Sequence, residues 1–225
     1  MKRITILLAE DHKIVREGFR MILKLEDDFE VVGEAEDGRQ AVDMVKKLRP
    51  AVVLMDIAMP QLNGLEATRQ ILKAVPSTRI LILTGHNDEM YVKSATESGA
   101  VGFLLKQAAA RVLSDGIREV NKGQTFFGPF ISKLLPKRER KSLDRTGRSK
   151  PRKDRLTSRE MEVFQLIAEG KANKQIAAAL SIGMKTVETH RERLIVKLNI
   201  HNIAGLTRHA ISEGIIESSV QLTIV

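Results

Sequence analysis

Apolar runs and helical repeats alternate through the first 125 residues of the chain. Short runs rich in β-branched and aliphatic residues predict five strands, at 4–9, 29–35, 51–55, 79–84 and 101–105. Apolar positions spaced three and four residues apart predict the intervening helices, at about 12–25, 38–48, 64–74, 88–98 and 108–121. Five strand–helix units in this order favour an α/β fold with a parallel, doubly wound sheet.

From residue 156 onwards the pattern is purely helical. Thr157-Ser158-Arg159-Glu160 is a capping box and predicts a helix that ends near Gly170. Further helices are predicted at about 173–180, 184–198 and 202–212. The tight turn Ser181-Ile182-Gly183 between two of them is typical of a helix-turn-helix in an all-α, four-helix domain. Spacing alone leaves another interpretation open, a helical hairpin whose charged residues are only solvated.

A basic segment separates the two patterns. Residues 133–155 hold eleven Lys and Arg against three Asp and Glu, with few apolar residues, and this composition predicts a flexible linker. Most of the formal net charge of +9 therefore lies in one short segment. Such a segment favours a polyanionic partner, nucleic acid before a membrane. We expect a first domain at 1–125, a linker at 126–155, a second domain at 156–215 and a tail of unknown role at 216–225.

The composition favours a cytoplasmic protein. No Cys occurs among the 225 residues, so disulfides and thiolate metal sites are excluded. No apolar run approaches the length that spans a bilayer, and the first residues lack the pattern of a signal peptide. We therefore expect no membrane partner.

Acidic residues follow two strands that a doubly wound sheet places side by side. Glu10 and Asp11 end the first strand, Asp56 ends the third, and these strands are neighbours in the flavodoxin-like order 2-1-3-4-5. Three carboxylates in one pocket repel one another, and a divalent cation removes that conflict. An oxygen-only site favours Mg²⁺. A simpler interpretation of Asp56 is a cap for the following helix.

Two further polar residues are predicted at the same edge of the sheet. Thr84 ends the fourth strand and Lys106 follows the fifth. Carboxylates, a hydroxyl and an ammonium group together indicate phosphoryl transfer, with a metal, a nucleophile and a positive group that holds the phosphoryl oxygens.

The first domain resembles the receiver domain of two-component response regulators. The matching residues are Glu10-Asp11, Asp56 within Leu54-Met55-Asp56-Ile57-Ala58-Met59-Pro60, Gly64, Thr84, Gly99-Ala100 and Lys106. The resemblance implies that Asp56 accepts a phosphoryl group from a histidine kinase and that Lys106 pairs with the phosphoryl oxygens. It also implies a Mg²⁺ site formed by Glu10, Asp11, Asp56 and the backbone carbonyl of Ala58. Thr84 and Phe103 would act as the switch residues.

Three residues depart from the usual receiver pattern. Phe103 stands where Tyr is commoner, so the switch aromatic has no hydroxyl group. Gly85 replaces the usual Ala, and Gln107 replaces the Pro that follows the lysine in many receivers. None of these changes removes a group that the phosphoryl transfer needs.

The second domain is similar to the LuxR-type helix-turn-helix. The matching residues are 156–160, Gly170, Asn173-Lys174-Gln175-Ile176-Ala177, Lys185-Thr186-Val187-Glu188-Thr189-His190 and Lys197-Leu198. The resemblance implies a recognition helix in the major groove and dimeric binding to paired half-sites. The residues expected at phosphates are Lys174, Lys185, Thr186, His190, Arg191 and Lys197. The residues expected at base edges are Glu188, Thr189 and Glu192.

Together the two resemblances indicate a response regulator of the NarL/FixJ class. We expect a transcription regulator whose partners are a histidine kinase and double-stranded promoter DNA, and which forms a homodimer when phosphorylated. We expect no enzyme activity beyond the receiver's own phosphorylation and dephosphorylation. Two alternatives remain: a Mg²⁺-dependent phosphatase, disfavoured because Ala58 stands where a haloacid dehalogenase has a second Asp, and a phosphate-independent adaptor.

Overall fold

The computed structural model describes residues 3–85, 94–129, 132 and 156–216. The chain divides into two compact units, Met1–Ser149 and Lys150–Val225, and each is described by itself. The predicted linker and tail lie almost wholly outside the described residues.

The first unit is built on one parallel sheet. Its strands are β1 (Ile4–Ala9), β2 (Phe29–Ala35), β3 (Val52–Asp56), β4 (Arg79–Thr84), β5 (Gly102–Leu105) and β6 (Phe126–Phe127). Their order is β2-β1-β3-β4-β5-β6, and every neighbouring pair is parallel. The predicted order 2-1-3-4-5 is therefore confirmed, with one additional strand at the edge.

Four helices of this unit are described in full. They are α1 (Lys13–Lys24), α2 (Gly38–Leu48), α3 (Gly64–Ala74) and α4 (Ala110–Asn121). The predicted helix at 88–98 is seen only at 94–97, because residues 86–93 lie outside the described part of the chain. Sequence signals explain the helix starts: Asp37 and Asn63 cap α2 and α3 by accepting hydrogen bonds from the backbone N–H groups of Gln40 and Glu66.

Apolar side chains cover both faces of the sheet. On one face Leu7, Val53 and Met55 share a core with residues of α2 and α3. On the other face Leu8 and Leu54 share a second core with residues of α1 and α4. Burial on both faces explains why these strands are almost continuously apolar in the sequence. Polar side chains such as Glu10 and Asp56 lie at the carboxyl ends of the central strands.

Strand β6 was not predicted. It has two residues, which is too short to show any periodicity, yet it pairs with β5 at Gly102 and Phe103. The Phe127 ring stacks on the Phe103 ring with centroids 5.3 Å apart, and the N–H of Gly128 donates to the carbonyl of Phe103 at 2.9 Å. Residues 126 and 127, which lie within the segment predicted as the linker, therefore belong to the sheet.

The second unit is a compact arrangement of four helices. They are α5 (Ser158–Ala168), α6 (Asn173–Leu180), α7 (Met184–Leu198) and α8 (Ile203–Ser212). The predicted capping box is confirmed at the start of α5, where Thr157 and Glu160 bond reciprocally. Ile176, Val187 and Leu194 are fully buried in the core between the helices. The left-handed residue of the turn between α6 and α7 is Ser181, with φ of 52°, and Gly183 is instead the N-cap of α7.

We expect Phe127→Ala to lower the free energy of unfolding of the first unit by about 1–3 kcal/mol, because it removes a half-buried ring and the stacking contact of that ring with Phe103. Hydrogen exchange of peptides covering β4 and β5 measures this loss. Phe127→Leu is the matched control and should lose less, since it keeps most of the buried apolar area. A stability of Phe127→Ala within about 0.5 kcal/mol of the original would show that β6 contributes nothing.

Candidate functional sites

The register of the sheet brings the predicted pocket residues to one edge. Ala9 of β1 lies opposite Met55 of β3, so Glu10 and Asp56 follow at the same level. Thr84 ends β4 beside them. Lys106 directly follows β5, and its N–H donates to the carbonyl of Thr84 at 2.9 Å.

Lys106 forms a bridge between two buried carboxylates. Its Nζ lies 2.9 Å from Oε2 and 3.1 Å from Oε1 of Glu10. It also lies 3.0 Å from Oδ1 of Asp56. The side chains of Glu10 and Asp56 are each only 3% exposed, so this ion pair is shielded from water. Residues 96 positions apart in the sequence therefore meet in one contact.

The two oxygens of Asp56 differ in their surroundings. Oδ1 accepts a hydrogen bond of 2.8 Å from the backbone N–H of Ile57, in addition to its contact with Lys106. Oδ2 is buried and has no hydrogen-bond partner among the described residues. A buried acceptor without a partner is unfavourable unless a ligand completes it. This oxygen is therefore one open position of the pocket.

Gly64 allows the chain to fold tightly around Asp56. A Cβ atom at position 64 would lie 1.8 Å from the carbonyl oxygen of Asp56, so only glycine fits. The N–H of Gly64 donates to the carbonyl of Ile57, and this bond closes the loop between β3 and α3. Half-buried Ala58 lies within this loop.

Burial raises the pKa of Asp56 to about 7, with Glu10 and Asp11 acting in the same direction and Lys106 opposing them. Burial also acts to lower the pKa of Lys106, but the carboxylates of Asp56 and Glu10 outweigh it and hold that pKa above its ordinary value. The pocket thus carries more negative charge than one ammonium group balances.

His12 belongs to the pocket although the sequence interpretation missed it. Its Nδ1 lies 2.9 Å from Oδ1 of Asp11 and 3.3 Å from Oε1 of Glu10. Burial acts to lower the pKa of His12, but the carboxylates of Asp11 and Glu10 together raise this pKa by more than burial lowers it, so the net shift is upward. The signal was its position directly after the acidic pair, on the predicted first residue of α1.

The predicted switch residues lie behind the pocket. Thr84 is buried and Phe103 is only 1% exposed. Phe103 lies on β5 opposite Ile82, and its ring contacts Phe127 as described above. Phe103 therefore links the strand that precedes Lys106 to the last strand of the sheet.

The predicted DNA contacts of the second unit differ in their exposure. Lys174, Lys185, Thr186, Glu188 and Glu192 are exposed, whereas Thr189, His190, Arg191 and Lys197 are half-buried. Arg191 donates to Oδ1 of Asn173 at 3.2 Å, which ties the recognition-type helix α7 to the start of α6. The exposed residues leave a polar face of α7 available to a ligand.

Lys197 has a structural contact that sequence spacing did not reveal. Its Nζ lies 2.6 Å from Oε2 of Glu160, whose side chain is 3% exposed. Burial acts to raise the pKa of Glu160, but hydrogen bonds from Lys197 and from Thr157 outweigh it and hold that pKa below its usual range. Lys197 therefore fixes the end of α7 against the capping box of α5.

Two family profiles match the chain, one in each unit. Residues 6–118 match the family described as "Response regulator receiver domain". Residues 154–210 match "Bacterial regulatory proteins, luxR family". These matches define the class: a DNA-binding regulator with a receiver domain before its helix-turn-helix domain.

Curated relatives cover both units together. The chain is 36% identical over 223 residues to the "Transcriptional regulatory protein DegU" of Brevibacillus brevis, covering 94% of each protein. It is 37% identical over 214 residues to the "Oxygen regulatory protein NreC" of Staphylococcus carnosus, covering 94% of this chain and 99% of the relative. The chain belongs to the family of two-component response regulators with a LuxR-type DNA-binding domain.

Solved structures agree with this assignment. The crystal structure of the response regulator ChrA is 34% identical with a TM-score of 0.52, covering 96% of this chain and all of that one. A structure of the RcsB–DNA complex is 28% identical with a TM-score of 0.57, covering 94% and 99%. The predicted fold, DNA-binding transcription regulation and the two-component class are therefore confirmed.

The family consists of transcription factors and not of conventional enzymes. This finding excludes the phosphatase alternative, and the luxR-family match excludes a helical hairpin without DNA-binding function. Within the described residues no helix is both long enough and apolar enough to span a bilayer.

We expect Lys197→Met to destabilise the second unit by about 1–3 kcal/mol, because it leaves the Glu160 carboxylate buried without its charged partner. Urea unfolding followed by circular dichroism measures the change. The pKa of Glu160 is lowered in the folded state, so its contribution is present at neutral pH and lost as the pH falls through that folded-state pKa. The difference between the two proteins should therefore shrink in acid.

Lys185→Met is the matched control, because Lys185 is exposed on the same helix. It should leave the free energy of unfolding within about 0.5 kcal/mol of the original value. It should also reduce, by about one, the slope of the logarithm of the DNA association constant against the logarithm of the salt concentration. If Lys197→Met instead changed only the salt dependence of DNA binding, Lys197 would be a phosphate contact and not a structural residue.

Proposed function

We propose that Asp56 accepts a phosphoryl group from a histidine kinase and that this change controls DNA binding by the second unit. The observation that carries the proposal is the buried arrangement in which Lys106 holds Oδ1 of Asp56 while Oδ2 has no partner among the described residues. A nucleophilic oxygen with a cation beside it is what phosphoryl transfer requires.

The pocket residues fit a Mg²⁺ ion. Glu10, Asp11 and Asp56 bring three carboxyl groups against the single ammonium of Lys106, and a divalent cation would balance the excess of negative charge when they are ionised. Ligand atoms of Glu10, Asp11 and His12 lie within 4.8 Å of one another. We propose Glu10, Asp11, Asp56 and the carbonyl of Ala58 as the residues that hold the ion. A bound Mg²⁺ would neutralise phosphoryl oxygens during transfer.

The transfer itself needs one bond made and one broken. An oxygen of Asp56, which we take to be Oδ2, bonds to phosphorus while the bond from phosphorus to the kinase histidine nitrogen breaks. The imidazole nitrogen keeps the electron pair of that bond and binds one proton from the buffered solvent, so that it leaves as neutral imidazole. Lys106, held 3.0 Å from the other oxygen of Asp56, stays within reach of the new phosphoryl oxygens.

The phosphorylated state would be sensed by Thr84 and Phe103. Thr84 ends the strand beside Asp56, and Phe103 precedes Lys106 by three residues on β5. Since the Phe103 ring stacks on Phe127, a change at β5 reaches the residues that lead into the linker. We propose that the conformational change passes from the pocket towards the linker through this contact.

The second unit would read DNA through α7. Exposed Lys185, Thr186 and Lys174, with His190 and Arg191, would contact phosphates, while Glu188, Thr189 and Glu192 would face base edges. Lys197, also predicted at a phosphate, would in addition hold the end of α7 through its contact with Glu160. The structure of an RcsB–DNA complex supports this mode, and another structure holds two RcsB dimers on DNA. We propose a homodimer on paired half-sites in the cytoplasm.

A small phosphodonor with Mg²⁺ should label the full chain, and Asp56→Asn should abolish that labelling because the acceptor carboxylate is gone. Radiolabel incorporation, with the modified peptide located by mass spectrometry, is the measurement. Asp27→Asn is the matched control, since Asp27 is an exposed acid before β2, and it should be labelled normally. Labelling that survives in Asp56→Asn would contradict the assignment of the acceptor, and no labelling of the original chain would favour the phosphate-independent adaptor.

A further inference from the structure

Arg16 is a buried cation that the pocket described above does not include. It lies in the first turn of α1, and its side chain is only 8% exposed. An arginine is rarely buried to this extent unless its guanidinium group has several partners. The partners of Arg16 therefore indicate what this buried charge holds in place.

The guanidinium group of Arg16 makes contacts in three directions. Its Nη1 donates to the backbone carbonyl of Glu10 at 2.7 Å, and its Nη2 donates to Oε1 of Glu36 at 2.6 Å. Its Nε lies 3.3 Å from Oε2 of Glu34. Glu10 directly follows β1, whereas Glu34 lies at the end of β2 and Glu36 just after it. Arg16 therefore joins the carboxyl ends of two neighbouring strands.

Arg16 completes the backbone hydrogen bonding of Glu10. The N–H of Glu10 donates to the carbonyl of Ala35 at 3.0 Å, which continues the pairing of β1 with β2. The carbonyl of Glu10 accepts from Arg16, and the carbonyl of Asp11 lies 3.5 Å from the same nitrogen. The peptide groups on both sides of Glu10 are thus held, while its carboxylate contacts Lys106 in the pocket.

The backbone held by Arg16 carries two of the proposed Mg²⁺ ligands. Only three residues, numbered 10 to 12, connect the end of β1 to the start of α1. A ligand that is oriented before the ion arrives binds more tightly than one that must first be ordered. Loss of a group that orients metal ligands without touching the metal typically weakens metal binding by about 10–100-fold.

We propose that Arg16 is a positioning residue for Mg²⁺ binding, which holds the backbone of Glu10 and Asp11 so that both carboxylates are directed to the ion. This inference rests on the proposed Mg²⁺ site. Its contacts go to backbone carbonyls and to the glutamates of the β2 end, so Arg16 acts through the two ligands. A lysine has one nitrogen and cannot reproduce the three directions of a guanidinium group.

A positioning role and a purely electrostatic role predict opposite effects of removing the charge. A positive charge near an acidic pocket repels a divalent cation, so loss of the charge alone would tighten Mg²⁺ binding. Loss of the contact with the Glu10 carbonyl would weaken it. Arg16→Met therefore distinguishes the two roles by the direction of the change.

Isothermal titration of the full chain with Mg²⁺, without a phosphodonor, measures the affinity directly. We expect Arg16→Lys and Arg16→Met to weaken binding about tenfold. Arg20→Lys and Arg20→Met are the matched controls, because Nε of Arg20 lies 3.6 Å from the same Glu34, one turn farther along α1. They should stay within about twofold of the original. Circular dichroism verifies folding, and Arg16→Lys decides the test if Arg16→Met does not fold.

Two further measurements separate positioning from a general loss of stability. The carbonyl ¹³C chemical shift of Glu10 in the full chain should change in Arg16→Lys and not in Arg20→Lys, because only Arg16 donates to that carbonyl. Labelling by a small phosphodonor should require more Mg²⁺ for its half-maximal rate in Arg16→Lys. At saturating Mg²⁺ the rate should return to that of the original chain, since Arg16 is not a catalytic residue.

Other results would overturn the proposal. A folded Arg16→Lys with Mg²⁺ affinity within about twofold of the original would show that the contact is dispensable. Tighter binding by Arg16→Met would assign Arg16 an electrostatic role, and equal weakening in Arg20→Lys would assign the effect to Glu34. These results leave the Mg²⁺ site itself intact. If the original chain bound no Mg²⁺, the proposed metal site would fail together with this inference.

Discussion

The receiver pocket depends on one ammonium group placed between two buried carboxylates. Removing Glu10 and Asp56 from water is costly, and Lys106 offsets part of that cost through contacts of 2.9–3.1 Å with both. Because Asp11 adds a third carboxylate at the mouth, the charges do not balance. The raised pKa of Asp56 expresses this imbalance. A site that has an excess of carboxyl groups, and in which Oδ2 of Asp56 has no hydrogen-bond partner among the described residues, is suited to bind a cation and a phosphoryl group.

Strand β5 leads directly into Lys106 and also carries Phe103, whose ring contacts β6. Phe103 and Lys106 are three residues apart at β5, and Phe103 stacks on Phe127 of β6. Among the described residues, β6 is the last strand before the basic segment 133–155. A change in the contacts of Lys106 would therefore act on β5 and, through the Phe103–Phe127 contact, on the residues just before the basic segment. The second unit has its own fixed element, the Glu160–Lys197 ion pair that anchors α7.

Most of the fold could be predicted because the signals are local. The strands at 4–9, 29–35 and 79–84 and the helices at 64–74, 173–180 and 184–198 have the bounds that periodicity and capping residues indicated. The acidic edge was also predictable, since strand ends meet at one edge of a parallel sheet. Strand β6 was missed because two residues carry no periodic signal. The contact of Lys197 with Glu160 was missed because Glu160 lies 37 residues away, and spacing along one helix does not show contacts between helices.

We propose that phosphorylation of Asp56 changes DNA binding by the helix-turn-helix domain of the same chain. The most direct measurement is the affinity of the full chain for an operator selected from random DNA, at fixed salt, with and without a small phosphodonor and Mg²⁺. We expect the phosphodonor to tighten operator binding by the original chain and to leave the operator affinity of Asp56→Asn at its basal value. Equal tightening in both proteins, or in neither although Asp56 is labelled, would contradict it.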